Sequence, residues 1–282
     1  MPAEDRYAAP LAFEPGRLYR QADEPIRVGA LLWVLTDPHR GHEFAYNRWY
    51  ERDHYYAGCM IGASTVAGSR WVATRRHKDA RLPDKPALGF TRDQASYGCV
   101  YYILDGEYDN WLDWATPQVH ALYAADRGFG PRTHYNTGAY RHIWRAYRDP
   151  DPVPVELALD RRYAGMVALW VERAPGVGAE QLEAWFEDYL PGWLASSPIA
   201  SVSSWDTVQL DETKPDFVPG PQAADERRSL HLHFVESDPL DCWDRYTAFA
   251  EALTASGLAT VALAAPFIPT IVGTDAYIDE LW

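Results

Sequence analysis

Ala-Leu-Leu-Trp-Val at residues 30–34 returns as Val-Ala-Leu-Trp-Val at residues 167–171, and this repetition organises the whole chain. Three further matches keep the same order: Trp49-Tyr50-Glu51 with Trp185-Phe186-Glu187, Ser69-Arg70-Trp71 with Ser203-Ser204-Trp205, and Trp111 with Trp243. The offset between the copies drifts slowly, as small loop deletions would cause. The period is too long for a solenoid unit. The sequence therefore predicts two copies of one small domain fused in tandem.

The composition is that of a globular protein without targeting or disulfide signals. Hydrophobic residues make up 47% of the chain, which is sufficient for a core. No run of about 18 apolar residues predicts a membrane span, and the N-terminal residues lack the apolar region of a secretory signal. Cys59, Cys99 and Cys242 form no CxxC pair, which argues against a disulfide framework and a structural zinc site. A cytoplasmic location is expected.

The charge and the aromatic content indicate the kind of partner. A net charge of -14 disfavours nucleic acid and anionic membranes. The 12 tryptophans and 18 tyrosines suggest an aromatic-lined cavity for a flat or apolar ligand, although bulky rings also fill ordinary cores. We therefore expect a small-molecule substrate as the partner. The chain is expected to be a monomer with an internal pseudo-dimer, or a homodimer.

The apolar periodicity predicts the same order of elements in both copies. In repeat 1, residues 26–147, the predicted elements are a strand at 28–36, a helix at 42–56, a strand at 64–74, a loop at 75–96, a strand at 97–104, a helix at 110–125 restarted at Pro117, and a strand at 134–147. In repeat 2, residues 157–282, they are a strand at 166–171, a helix at 181–193, a strand at 199–210, a loop at 211–227, a strand at 229–235, a helix at 241–254 and a strand at 260–272. An N-terminal arm, residues 1–25, and an Asp- and Pro-rich linker, residues 148–156, complete the chain.

Each copy therefore follows the β-α-β-β-α-β order of the ferredoxin-like plan. A four-stranded antiparallel sheet with both helices on one face leaves its other face bare, and that face must be buried. The simplest solution is for the two sheets to cover each other within one chain. The predicted fold class is thus α+β, with two tandem ferredoxin-like domains whose antiparallel sheets form a pseudo-dimeric α/β barrel.

A short motif in repeat 1 resembles that of a known superfamily. Residues 44–54 read Phe-Ala-Tyr-Asn-Arg-Trp-Tyr-Glu-Arg-Asp-His, and residues 68–71 read Gly-Ser-Arg-Trp. A Trp-Tyr-acid-x-x-His sequence late in the first helix, with an Arg-aromatic pair on the second strand, resembles the dimeric α/β-barrel superfamily and most closely its EthD-like branch. Repeat 2 resembles it only in pattern, because Leu190 stands where the histidine would be.

The resemblance carries implications for both fold and function. It implies that the two sheets join into a barrel that encloses ligand sites, and that His54 lies at the helix end near the barrel mouth. Members of the superfamily include polyketide cyclases, muconolactone-type isomerases, quinone-forming monooxygenases and haem enzymes. The reaction therefore does not follow from the fold.

His54 is the leading catalytic candidate, because histidine titrates near neutral pH and serves as acid or base. Tyr50, one turn earlier, is placed to reach it. A hydrogen-bonded histidine at a helix terminus is the structural alternative. Arg70 is suited to hold a carboxylate or an enolate-like oxygen, or else to form a salt bridge. Since Leu190 and Ser204 occupy the matching positions of repeat 2, the site is expected to be single.

Two histidines on the third strand of repeat 2 are further candidates. Strand alternation places His231 and His233 on one sheet face and Leu232 on the other. The leucine face is expected to meet the helices, and the histidine face to line the space between the sheets, where Cys99 and Tyr101 are the counterparts in repeat 1. A polar pocket lining is expected rather than a metal site, because no third ligand is evident nearby. The expected pocket lining also includes Trp33, Trp49 and Tyr140.

The sequence contains no GxSxG, P-loop or GxGxxG motif, so nucleotide-dependent chemistry is not expected. The preferred interpretation is a cofactor-independent lyase, isomerase or cyclase. It would perform cyclisation, isomerisation, elimination or hydration on an aromatic or polyketide-like small molecule. Two alternatives stay open. One is a non-catalytic small-molecule-binding barrel, and the other is a haem- or oxygen-dependent oxidoreductase such as a monooxygenase. No cofactor is expected for the preferred interpretation, and haem or a divalent metal is expected only for one of the alternatives.

Overall fold

The computed structural model describes residues 9–20, 26–208 and 226–282. Its strands are β1 (Val28–Pro38), β2 (Thr65–Val72), β3 (Tyr97–Leu104), β4 (Arg132–Tyr147), β5 (Gly165–Arg173), β6 (Ile199–Val208), β7 (Arg228–Val235) and β8 (Ala259–Pro269). Its α-helices are α1 (Glu43–Trp49), α2 (Arg75–Ala80), α3 (Tyr108–Ala124), α4 (Ala179–Leu194) and α5 (Trp243–Ala255). Two π-helical segments, Tyr50–His54 and Tyr56–Met60, follow α1.

The eight strands form one closed barrel in the order β1-β3-β2-β8-β5-β7-β6-β4. Each repeat supplies four adjacent strands, and both quartets have the strand order of a ferredoxin-like sheet. Two antiparallel seams close the barrel. A long seam joins β4 to β6, and a short one joins β2 to β8 at Trp71 and Val72. The predicted α+β fold, with two tandem ferredoxin-like domains in one pseudo-dimeric barrel, is confirmed.

Aromatic side chains fill the interior of the barrel. Trp33, Trp71, Trp170 and Trp205 point inward from strands of both repeats, and each is at most 2% exposed. Trp33 of repeat 1 meets Phe267 of repeat 2 edge to face, with ring centroids 5.8 Å apart. Closure of the barrel thus buries the sheet face that each copy would otherwise leave bare.

The sequence predicts a ligand cavity between the sheets, whereas the described side chains pack there as a core. Trp33 and Tyr140, predicted to line that cavity, are both 0% exposed. The physical reason is size, because an eight-stranded barrel has an interior just wide enough for side chains to fill. The helices form separate layers outside the barrel, with α1 and α3 over repeat 1 and α4 and α5 over repeat 2.

Two helices differ from the sequence prediction. Residues 75–96 are predicted as a loop, but α2 occupies Arg75–Ala80 and is anchored by His77, which is 0% exposed. Six residues are too short a window for helical periodicity to be recognised.

The second helix of repeat 1 runs through Pro117 without a restart. Packing of its apolar face on the sheet outweighs the single hydrogen bond that a proline removes.

The segment that precedes β1 lies against the barrel. Within residues 9–20, the ring of Phe13 is 4.6 Å from that of Tyr147 at the end of β4. Parts of the predicted arm and loop lie outside the described residues: 1–8, 21–25 and 211–225. The division into arm, repeats and linker stays a prediction. Within the described ranges, no helix combines the length and the apolar character needed to cross a bilayer.

Candidate active site

The candidate site is built on the irregular helix that follows α1. The sequence predicts one regular helix over residues 42–56, but Tyr50–His54 form a π-helical turn, a distortion often found at functional sites. This turn brings the rings of Tyr50 and His54 edge to face, with centroids 5.4 Å apart. Trp49 stacks on His54 at 4.4 Å and 16°. The imidazole is therefore held between two aromatic rings.

Arg70, on β2, also contacts the ring of Tyr50. Its guanidinium carbon lies 4.4 Å from the centroid of that ring. Arg70 Nη2 donates to Asn47 Oδ1 at 2.8 Å, and Nη1 donates to Glu51 Oε1 at 3.3 Å. The Arg70 side chain is 4% exposed. The structure thus brings His54, Tyr50 and Arg70, the three residues predicted as catalytic, together around one phenol ring.

Glu51 links this cluster to the end of the chain. Its Oε2 accepts a hydrogen bond from the backbone N–H of Gly273 at 3.0 Å. One turn away, Arg48 Nη2 donates to Asp275 Oδ1 at 2.7 Å. The segment after β8 therefore lies across the site of repeat 1. Sequence reasoning missed both Asn47 and Glu51 as partners of Arg70, although Glu51 is the acid of the Trp-Tyr-acid motif.

Cys99 and Tyr101 belong to the same helix–sheet layer. The Tyr101 hydroxyl lies 3.3 Å from that of Tyr50, and Cys99 pairs with Arg70 across neighbouring strands. Burial raises the pKa of Tyr50 and of Tyr101 well above the ordinary value, so both hydroxyls keep their protons. The prediction that Cys99 and Tyr101 face the space between the sheets is wrong. The residues that alternate with them along β3 point into the barrel instead.

A second histidine and an arginine border the rim of this layer. The guanidinium carbon of Arg132 lies 4.8 Å from the Trp49 ring, and Arg132 Nε donates to His134 Nε2 at 2.8 Å. Burial, with the Arg132 charge adding to it, lowers the pKa of His54 to about 3 and that of His134 to about 3. Both imidazoles are therefore neutral at pH 7. Within the described residues, His54 has no hydrogen-bond partner.

A pocket of about 580 Å³ opens beside Arg70. Its walls include the aromatic rings and cations Tyr55, Trp71, Tyr163, Arg161 and Arg162. Gly68 leaves room at this wall, because a Cβ atom there would lie 2.7 Å from Tyr55 Oη and 2.7 Å from Met60 Sδ. The predicted catalytic residue Arg70 therefore borders a space of the size that small ligands occupy.

His231 and His233 lie in the helix layer of repeat 2, and not between the sheets as predicted. The ring of His231 is 5.2 Å from Phe186 on α4, and that of His233 is 5.7 Å from Tyr246 on α5. Leu232 faces the barrel core. Both faces of this strand are buried. Alternation therefore assigns its residues to two faces but does not show which face meets the helices and which lines the barrel. Neither ring nitrogen of His233 has a hydrogen-bond partner among the described residues.

Acid is expected to destabilise the protein through these two histidines. Burial lowers the pKa of His231 from 6.5 to about 3, and that of His233 well below 6.5. Below pH 6.5 the unfolded chain binds protons that the folded chain excludes, so stability present above that pH is lost as the pH falls. Between pH 6.5 and the lowered pKa of the folded chain, each histidine reduces the free energy of unfolding by about 1.4 kcal/mol for each pH unit of acidification. His233→Phe should reduce this slope by about one such contribution, measured by urea denaturation between about pH 6 and pH 4.

His42→Phe is the matched control for this measurement, because His42 is exposed at the start of α1. Its pH slope should equal that of the unmodified chain. A His233→Phe slope indistinguishable from both would contradict the assignment of acid sensitivity to the buried pair.

The fold and the site together define a fused α+β barrel protein with a candidate site in one helix layer. No family model matches the chain, and no curated protein is significantly similar to it. Two of the solved structures that share the architecture illustrate the likeness. A protein assigned as a chlorite dismutase has a TM-score of 0.50 and 10% identity, over 88% of this chain and 97% of its own. An anthrone oxidase-like protein has a TM-score of 0.50 and 9% identity, over 89% of this chain and 98% of its own.

At these identities the likeness shows the fold alone, which is the dimeric α+β barrel of two ferredoxin-like domains. The narrower resemblance to the EthD-like branch stays a prediction. So do the roles of the individual site residues.

Proposed function

We propose that the chain is a cofactor-independent enzyme that transfers a proton on a small aromatic or polyketide-like molecule, as a lyase, isomerase or cyclase. One observation supports the proposal above the others. His54 and Arg70 both contact the Tyr50 ring, with centroid distances of 5.4 Å and 4.4 Å. A base, a hydroxyl donor and a buried cation are the groups that general acid–base catalysis beside an oxygen atom uses.

The proposed roles follow from the protonation states. His54 accepts the proton, because its imidazole is neutral and its nitrogens are uncommitted within the described residues. An anionic substrate nearby would raise its lowered pKa, since an opposite charge favours imidazolium, and would bring it towards the range in which a base is effective. Tyr50, whose hydroxyl keeps its proton, donates a hydrogen bond to a substrate oxygen. Arg70 stabilises the negative charge that develops there.

The pocket beside Arg70 is the proposed substrate site. Arg70 and Glu51 lie in its wall, and the rings of Tyr50 and His54 lie behind Arg70 rather than in the lining. Its volume of about 580 Å³ lies within the range of small-molecule sites. Tyr55 is an aromatic residue in the lining, and Arg161 and Arg162 add positive charge at the rim. The same pocket also supports the second candidate function, a barrel protein that binds a small molecule without changing it.

The buried histidines of repeat 2 do not fit a haem. His233 is enclosed by the rings of Trp193, Tyr246 and Phe249 at 5.6, 5.7 and 6.4 Å. A macrocycle at this position would have to displace the core of the helix layer. Over the ranges that the structure describes, no three His, Cys, Asp or Glu side chains are grouped to hold a metal ion.

Deuterium exchange tests the proposal without knowledge of the final product. The protein is incubated in D₂O with a panel of aromatic ketones and 1,3-dicarbonyl compounds, and loss of the C–H signal is followed by proton NMR. We expect at least one compound to exchange faster with the protein than in buffer. A compound that binds, shown by chemical-shift changes, and yet exchanges no faster would favour the binding function and contradict the enzyme.

A further inference from the structure

Lys78, on α2, is a buried amine that the proposed proton transfer does not use. It is 1% exposed. The chain contains three lysines, at positions 78, 85 and 214, among its 26 Lys and Arg residues. Arginine stays charged in proteins, whereas a buried lysine can lose its proton and act as a nucleophile. Burial lowers the pKa of Lys78 to about 8, although the Asp37 carboxylate opposes this shift.

Lys78 borders a pocket of about 380 Å³ that is separate from the one beside Arg70. Its Nζ donates to Ser96 Oγ at 2.9 Å and lies 4.7 Å from the centroid of Trp282. In the described part of the chain, no carboxylate forms an ion pair with this amine. Asp37 lines the same pocket but instead accepts the backbone N–H groups of Ala95 and Ser96 at 2.8 and 2.6 Å.

The pocket also contains a cation that is available to an anionic ligand. The guanidinium of Arg40 lies 5.0 Å from the Trp282 ring, and Arg40 makes no ion pair with any described residue. Arg75, which also lines the pocket, is engaged by Asp79 at 2.9 Å. A ligand whose carboxylate lies next to its carbonyl group would therefore meet Arg40 and Lys78 in one space.

We propose that this pocket binds a small carboxylate-bearing aldehyde or ketone, such as a 2-oxo acid, and that Lys78 condenses with its carbonyl carbon. The amine nitrogen forms a C=N bond. The carbonyl oxygen leaves as water with the two amine hydrogens, and no oxidant or reductant is consumed. Arg40 holds the carboxylate, and Trp282 covers the amine until the ligand enters.

Reductive trapping tests the proposal. Glyoxylate is the carboxylate-bearing probe, glycolaldehyde is its uncharged match, and cyanoborohydride reduces the imine to a stable amine. Peptide mass spectrometry then locates the product. With glyoxylate we expect Lys78 to be modified about tenfold more than exposed Lys85, which is the effect of one charge-assisted contact. Equal modification of the two lysines, or none at Lys78, would overturn the proposal.

Variants separate the parts of the proposed site. Arg40→Gln should remove the preference for glyoxylate over glycolaldehyde at Lys78, whereas Arg52→Gln, at another exposed arginine, should not. Trp282→Ala should increase labelling of Lys78, because the cover is gone. Lys78→Arg should abolish the adduct. If this buried variant does not fold, Arg40→Gln and Trp282→Ala still test the proposal. An Arg40→Gln chain with unchanged preference would show that no carboxylate site exists.

Discussion

His54→Gln is expected to lower the rate of catalysed deuterium exchange by about a hundred- to ten-thousand-fold, the usual contribution of one general acid or base. Glutamine keeps polar atoms at this position but cannot accept a proton near neutral pH. The fold should tolerate the change, because His54 makes no hydrogen bond with any described residue and its loss breaks none. Proton NMR measures the exchange rate, and thermal unfolding of the same samples measures stability.

His39→Gln is the matched control, because His39 is exposed and its imidazole contacts Thr133 rather than the Tyr50 ring. It should retain both the exchange rate and the unfolding temperature. The decisive comparison is the ratio of the two losses in His54→Gln. If the unfolding temperature falls in step with the rate, the imidazole is a packing residue of the helix layer and the proposed base is wrong.

Trp33→Ala is expected to lower the free energy of unfolding by about 3–5 kcal/mol, as for other large-to-small changes in cores. Trp33 is 0% exposed and lies on β1, where its ring meets Phe267 of the other repeat. The strands of a closed barrel cannot collapse freely into the space left behind, so a cavity remains. Urea denaturation followed by circular dichroism measures the change.

Because Trp33 packs against the other repeat, both copies should lose stability in one transition. Leu157→Ala is the control, because Leu157 is 50% exposed and its truncation should cost within about 0.5 kcal/mol. Two separate unfolding steps, of which Trp33→Ala shifts only one, would show that the repeats do not share the interior core.

Much of the fold follows from local patterns along the chain. The apolar run at residues 97–104 predicts β3 with its observed bounds, and the repeated strand at residues 167–171 falls within β5. The two copies then require each other, because each sheet has a face that its own helices do not cover. The π-helical turn at Tyr50–His54 is different. It changes backbone hydrogen bonding without changing the apolar pattern, so periodicity predicts an ordinary helix there.

The candidate site was predictable in part for the same reason. Tyr50 and His54 lie one turn apart, and Arg70 is on the strand beneath them, so a motif within one repeat is enough to place all three. The partners that hold Arg70, Asn47 and Glu51, are in the same repeat, but the segment that covers Glu51 is not local. Gly273 comes from the far end of the chain and reaches Glu51 only because β8 of repeat 2 pairs with β2 of repeat 1.

Matches between the two copies are sufficient to predict the tandem repeat, and spacing within one copy is sufficient to predict the order of its elements and the closeness of Tyr50 to His54. Tertiary structure decides which face of each strand fills the barrel. Strands β3 and β7 are each buried on both faces. The sequence therefore shows that His231 and Leu232 point to opposite faces, but not which face lines the barrel. Closure of the barrel, a pairing between residues far apart in the chain, selects the leucine set for the interior and leaves the histidines under the helices.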